Sequence, residues 1–132
     1  MKFLLDTDTC IYALKANPAV LKSLLSKSRA EVAVSVITEA ELRTGAAKSS
    51  APAKTLHQIE NFLRPLGLVE FQSGDAIAYA QIRVRLERLG KPIGPFDMLI
   101  AGQAVSRKLI LVSNNEREFG RVPGLRLENW TK

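Results

Sequence analysis

Phe3-Leu4-Leu5-Asp6-Thr7-Asp8-Thr9 is the stretch from which the fold can be read. Three apolar residues run without alternation and stop at an acid. A strand that is apolar on both faces belongs in a parallel sheet covered by helices on both sides. Val32-Ala33-Val34-Ser35 repeats the pattern, and so do Leu68-Val69-Glu70-Phe71 and Leu109 to Val112, with Arg126-Leu127 as a short edge strand. The intervening segments have helical spacing: Thr9 to Lys15, a second helix after the Asn17-Pro18 break, Thr38 to Lys48, and Ala53 to Phe62. From Asp75 to Leu89, Tyr79, Ile82, Leu86 and Leu89 share a stripe. Gly90 and the stiff Pro92-Ile93-Gly94-Pro95 follow it. Phe96 to Val105 is then apolar nearly all round, so a buried helix is expected. This alternation predicts an α/β fold, an α/β/α sandwich with a mainly parallel central sheet of four to five strands.

With 132 residues and no long linker, low-complexity run or repeat, residues 1–132 are expected to form a single domain. No apolar run approaches the ~18 residues of a membrane span. The first residues are too short in apolar length for a secretory leader. A lone cysteine, Cys10, fits a reducing cytoplasm. The net charge of +6 favours a polyanionic partner, nucleic acid or an acidic protein. Against that surplus, the positions of the acids decide the chemistry.

Asp6 follows the first strand, at the end of a parallel sheet where ligand crevices form, although a helix N-cap would explain it equally. Asp8 adds a second acid. Glu41, in Val36-Ile37-Thr38-Glu39-Ala40-Glu41-Leu42, is either a functional carboxylate or an exposed helix residue, as Glu39 is expected to be. Asp97 is the single acid at the start of an apolar helix. The helix dipole would favour it there, but burial on so apolar a helix exceeds what a cap requires. Asn115, after the fourth strand, is either a turn residue or a site residue. Two strand ends and two helix starts bring Asp6, Asn115, Glu41 and Asp97 to one edge.

Clustered carboxylates stay ionised together only with a cation among them, and all-oxygen donors select a hard ion, Mg2+ or Mn2+. The lone His57 has no zinc-type spacing, and Gly94-Pro95 is no phosphate loop. Ser35 and Cys10 have no evident basic partner for nucleophilic catalysis. A metal ion held by acids, with bases on the rim, suits hydrolysis of a phosphodiester in a polyanion. Candidate rim bases are Arg43, Lys48, Arg83, Arg85, Arg88, Lys91 and Arg117.

Across its whole length the chain resembles the VapC-type PIN-domain toxins. The matching segments are Phe3-Leu4-Leu5-Asp6-Thr7, Ser35 to Leu42 followed by Gly45, and Pro92 to Asp97. They continue with Leu111 to Asn115, Arg117-Glu118-Phe119, Val122 to Leu125 and Glu128-Asn129-Trp130. The resemblance implies a PIN fold and a Mg2+- or Mn2+-dependent endoribonuclease of a toxin–antitoxin system. It implies that Asp6, Glu41 and Asp97 hold the metal, and that Asn115 fills a place where many relatives carry a fourth acid. Thr7 and Ser113 match hydroxyl positions beside the metal. Asp8 stands where many relatives have Asn. The implied partners are a VapB-like antitoxin, a second toxin chain and RNA; in the most similar subgroup the RNA is initiator tRNA, cut in the anticodon stem-loop.

Two other readings compete. Asp6-Thr7-Asp8-Thr9 looks like the opening of a haloacid-dehalogenase-type phosphohydrolase, but that chemistry needs an acidic pair where Asn114 and Asn115 stand. A non-catalytic RNA- or protein-binding module would be expected to have lost an acid, and all three are present.

Overall fold

Leu5 lies between Val34 on one side and Val112 on the other, and that register organises the molecule. The computed structural model describes residues 1–132. Its strands are β1 (Phe3–Leu5), β2 (Val32–Ser35), β3 (Gly67–Val69), β4 (Ile110–Val112) and β5 (Arg126–Glu128), all parallel in the order β3-β2-β1-β4-β5. Seven α-helices connect them: α1 (Thr7–Leu14), α2 (Pro18–Leu25), α3 (Val36–Lys48), α4 (Pro52–Leu63), α5 (Ser73–Arg88), α6 (Pro95–Arg107) and α7 (Glu116–Phe119). The expected five-stranded α/β/α sandwich is present.

Each face of the sheet carries its own core. Leu4 packs with Ile82 and Leu86 of α5 and with Ile100, Ala101 and Ala104 of α6. Phe3 and Leu5 point the other way, against Cys10, Val20, Leu42 and Ile59 of α1 to α4. Successive side chains of a strand face opposite sides, so a buried three-residue strand serves two cores.

The boundaries depart from the sequence expectation where side chains act on the backbone. Helix α1 begins at Thr7, because the Asp6 carboxylate accepts from the Thr9 N–H at 2.8 Å and caps it. Likewise the Ser35 hydroxyl accepts from Ile37 N–H, so α3 starts at Val36. Strand β3 stops at Val69, and the Glu70 carbonyl instead accepts from Arg107 and Gln103. Two apolar residues expected to be buried lie at the surface: Leu89, the C-cap of α5, is 58% exposed, and Phe96, in the first turn of α6, is 53% exposed.

Helices α5 and α6 form a tight antiparallel pair. At one end Asp75, almost without exposed surface, accepts from Ser106 Oγ at 2.7 Å and from Arg107 Nε and Nη2 at 3.2 and 3.0 Å. Burial pushes the Asp75 carboxyl up. The Arg107 guanidinium, the Gln72 N–H and the Ser106 hydroxyl outweigh it and hold the group below the usual carboxylate range. Further along, Gly102 admits α5 so closely that a Cβ there would lie 3.1 Å from the Asp75 carbonyl and from Tyr79 N and Cβ.

The two interior glycines should therefore respond oppositely to one substitution. Gly102→Ala is expected to destabilise by about 1–2 kcal/mol, because backbone must move to admit the methyl. Gly45→Ala meets nothing within 4 Å and should stabilise by about 0.5–1 kcal/mol through helix propensity. Urea unfolding of both variants reads the two signs directly.

Candidate active site

Asp6, Ser35 and Ser113 each stand one residue beyond, or at, the last residue of three adjacent strands, forming a level polar row at the carboxyl edge. Asp6 is 3% exposed. Burial raises its carboxyl above the ordinary value; the Ser113 and Thr9 hydroxyls and the Thr9 N–H offset part of the rise, and the Asp8 charge adds to it. The expected alternatives for Asp6, cap or site residue, are thus both fulfilled by one side chain. Thr9 also donates its hydroxyl to the Val112 carbonyl at 3.0 Å, fastening α1 to the end of β4.

Glu41 reaches the same edge from the second turn of α3. The Thr7 hydroxyl donates to Glu41 Oε1 at 2.7 Å and holds the carboxylate's orientation, while Thr38 Oγ1, 3.1 Å from the Thr7 hydroxyl, supports it from behind. Asp97 sits in the first turn of α6, half-buried, beside Gly94. Its pKa is pushed up to about 6, first by burial and then by the negative charges of Asp6, Glu41, Asp8 and Glu118. Asp8 is exposed in the first turn of α1.

Asn115 caps α7, and its N–H donates to Ser113 Oγ at 2.9 Å. Its amide donates to Glu118 Oε2 at 2.8 Å, and the Glu118 charge contributes to the rise at Asp97. Sequence reasoning passed over Glu118. The signal available was its position three residues after Asn115, the spacing of an N-cap pair. Thr38 was missed too, because nothing in a sequence distinguishes a buried hydroxyl that orients a glutamate from one that merely packs.

No lysine or arginine neutralises this group. The ion pairs join Arg43 to Glu39 and Glu60, Arg83 to Glu87, Arg107 to Asp75 and Lys132 to Glu116. The carboxylates share one crevice without converging: no three acidic, histidine or cysteine side chains are close enough as they stand to hold an ion among them. Like charges with nothing between them repel, so this splayed arrangement is the expected one for the bare chain. The donor set, Asp6, Glu41 and Asp97 with Glu118 and hydroxyls behind them, is all oxygen and fits a hard divalent cation.

The candidate rim bases separate by their partners. Arg43 is held by Glu39 at 2.9 Å, and Arg83 by Glu87 and by the Tyr79 hydroxyl. Lys48 lies two turns beyond Glu41, at the far end of α3. Arg85, Arg88, Lys91 and Arg117 are exposed and make no ion pair. Arg85 and Arg88 line an open surface groove on α5 with Gln81, Val84 and Leu89. His57 is exposed on α4 beside Asn61 and takes no part.

A carboxyl that ionises less readily in the folded protein than in the unfolded chain lowers stability wherever it is ionised. For Asp97 that loss is absent below about pH 4 and grows as the pH rises to about 6. Asp97→Asn should accordingly raise the stability of the metal-free protein by about 1 kcal/mol at pH 7.5, after allowance for water at this half-buried group. The gain should vanish near pH 3.5. Thermal unfolding in EDTA across pH checks both statements, and an unchanged pH dependence would refute them.

The family model described as PIN domain matches residues 3–125. The chain is 43% identical over 130 residues to a Salmonella typhimurium protein named tRNA(fMet)-specific endonuclease VapC, with 98% of each covered. A Shigella flexneri protein of the same name is 43% identical, with 99% of each covered. Among solved structures, a chain in the crystal structure of DNA-bound VapBC from Salmonella typhimurium superposes with a TM-score of 0.93 over 98% of both chains, at 43% identity.

Proposed function

Since this chain belongs to the PIN-domain family and to its VapC branch, we propose that it is the ribonuclease toxin of a toxin–antitoxin pair, cutting RNA phosphodiester bonds with the help of Mg2+ or Mn2+. One observation supports the metal dependence: acids from the end of β1, from α3 and from α7 lie close enough to Asp97 of α6 to add their charge to the burial that lifts its pKa to about 6, with no cationic side chain paired to any of them. A basic protein that leaves such a gap in its own charge balance is built to receive a cation from outside.

Asp6, Glu41 and Asp97 would hold the ion. A divalent cation supplies the Lewis acidity and positive charge that a phosphodiester needs as negative charge builds on its oxygens. Thr7 keeps Glu41 turned into the crevice, and Thr9 and Ser113 do the same for Asp6. Glu118, oriented by Asn115, adds a further carboxylate that can accept a proton from an attacking water. Arg85, Arg88, Lys91 and Arg117 would meet the phosphate backbone around the cut. The relatives' name points to tRNA(fMet) as the substrate, an RNA the enzyme would meet in the cytoplasm. No helix is long and apolar enough to cross a membrane. The VapBC relatives point to a VapB-like antitoxin, and the family resemblance adds the expectation of a second toxin chain in the complex. An apolar groove of about 440 Å³ between α1, α3 and α4, running past Gly45 up to Glu41, offers the antitoxin a bed that ends at the acids.

The decisive assay is cleavage of total tRNA with and without Mg2+ by the wild-type protein and by Asp6→Asn. Asn caps a helix as well as Asp does, so the variant keeps α1 while losing a charge. Discrete fragments are expected only from wild type with metal, with the rate falling by at least about 100-fold in the variant. Asp97→Asn should behave alike, whereas Asp8→Asn should retain substantial activity. Full metal-dependent activity in Asp97→Asn would remove it from the site.

A further inference from the structure

Phe96 is a half-exposed aromatic ring next in sequence to Asp97. It is 53% exposed at the second position of α6, directly before Asp97. Exposed phenylalanine at a helix start gains nothing for the fold. Its backbone is nonetheless stiff: Pro95 opens the helix, Pro92 precedes it, and Ile93 between them is buried in the core at 6% exposure. Two prolines and an anchored isoleucine leave the ring little freedom to retreat. Beside it lies a shallow cavity of about 260 Å³, walled by Phe96 with Ile37, Ala40, Thr44 and Glu41. Its floor is aliphatic and one wall is the carboxylate that Thr7 fixes at 2.7 Å.

We propose that Phe96 and this cavity hold one unpaired nucleobase of the RNA, stacked on the ring, next to the phosphodiester that Asp6, Glu41 and Asp97 engage. The inference rests on the ribonuclease reading and adds to it a residue that positions substrate. The occupant follows from the surroundings. The cavity is smaller than the ~300–1,000 Å³ typical of pockets for drug-sized ligands and suits a single flat ring system. Glu41 forms part of its lining and Asp97 follows Phe96 in the chain, so a group seated in it lies beside the acids that would face the phosphate. Aromatic stacking accepts any base, because every base has a π-face. Phe96 would thus demand an unpaired nucleotide at the cut, such as one in a loop, without specifying its identity.

The test measures steady-state cleavage, with Mn2+ or Mg2+, of a short RNA stem-loop spanning the wild-type cut. The same RNA is also made with an abasic nucleotide on either side of that cut. Phe96→Ala should raise KM by about 10- to 100-fold, the usual loss of one base–aromatic stack, and Phe96→Trp should restore it. One abasic substitution should weaken wild type by a similar factor and Phe96→Ala hardly further, the non-additivity of two groups that touch. Thr44→Tyr, at an exposed helix position, fills the cavity without disturbing the core and should raise KM likewise. Unchanged KM in Phe96→Ala, or losses from the variant and the abasic RNA that multiply independently, would overturn the inference while leaving the nuclease intact. So would a Phe96→Ala protein that cuts normally but escapes its antitoxin, which would make the ring a protein contact. Wild-type protein that fails to cut any RNA with either metal would sink the ribonuclease reading itself.

Discussion

A strand buried on both faces and hydrogen-bonded on both edges has no place for a charge until it ends, and β1 imposes that limit on the whole molecule. Its three residues pair with β2 and β4 in one register and feed two separate cores. Polar chemistry is therefore excluded from the sheet and collected where the strands stop together, at Asp6, Ser35 and Ser113. The helices that leave this row inherit its position. Helix α3 delivers Glu41 within two turns, and α7 delivers Glu118 within one. Asp97 arrives from the opposite direction, because the clasp between Asp75 and Arg107 and the close approach at Gly102 fix α6 against α5.

The protein contains two different treatments of an aspartate withdrawn from water, one buried and one half-buried. Asp75 receives a guanidinium, a hydroxyl and a backbone N–H, and its carboxyl is held below the ordinary range. Asp97 receives no cation and four negative neighbours, and is driven up to about 6. The fold is evidently able to neutralise an internal acid when the purpose is to join two helices. At the crevice only neutral hydroxyls and amides are supplied, which orient carboxylates while leaving their charge uncompensated. A side-chain cation there would stabilise the bare chain and would compete with the divalent ion proposed for the site.

Much of this was legible in the sequence for one reason: uninterrupted apolar triplets followed by polar residues mark parallel strands and their carboxyl ends at once. Asp6, Glu41, Asp97 and Asn115 were therefore placed at one edge before any coordinates, and the structure brings all four there. What escaped depends on partners remote in sequence. Asp75 gave no sign that Arg107, 32 residues on, would meet it. Glu118 became visible only through the amide of Asn115. Phe96 was expected inside an all-apolar helix, because periodicity does not tell that the first turn projects past the end of the core. Arg43 and Arg83 stood equal to Arg85 and Lys91 as free bases until their carboxylate partners were seen.

The unbalanced charge at Asp97 also bears on how such a chain persists over generations. Most substitutions that silence an enzyme also weaken its fold, so decay is opposed twice, by lost activity and by lost protein. With Asp97 in the role proposed for it, changing this single carboxylate to an amide would remove activity while relieving repulsion, so the silent form would fold better than the working one. Random drift would thus run toward an inert and sturdier protein, and only continuous selection for cleavage can keep the acid in place.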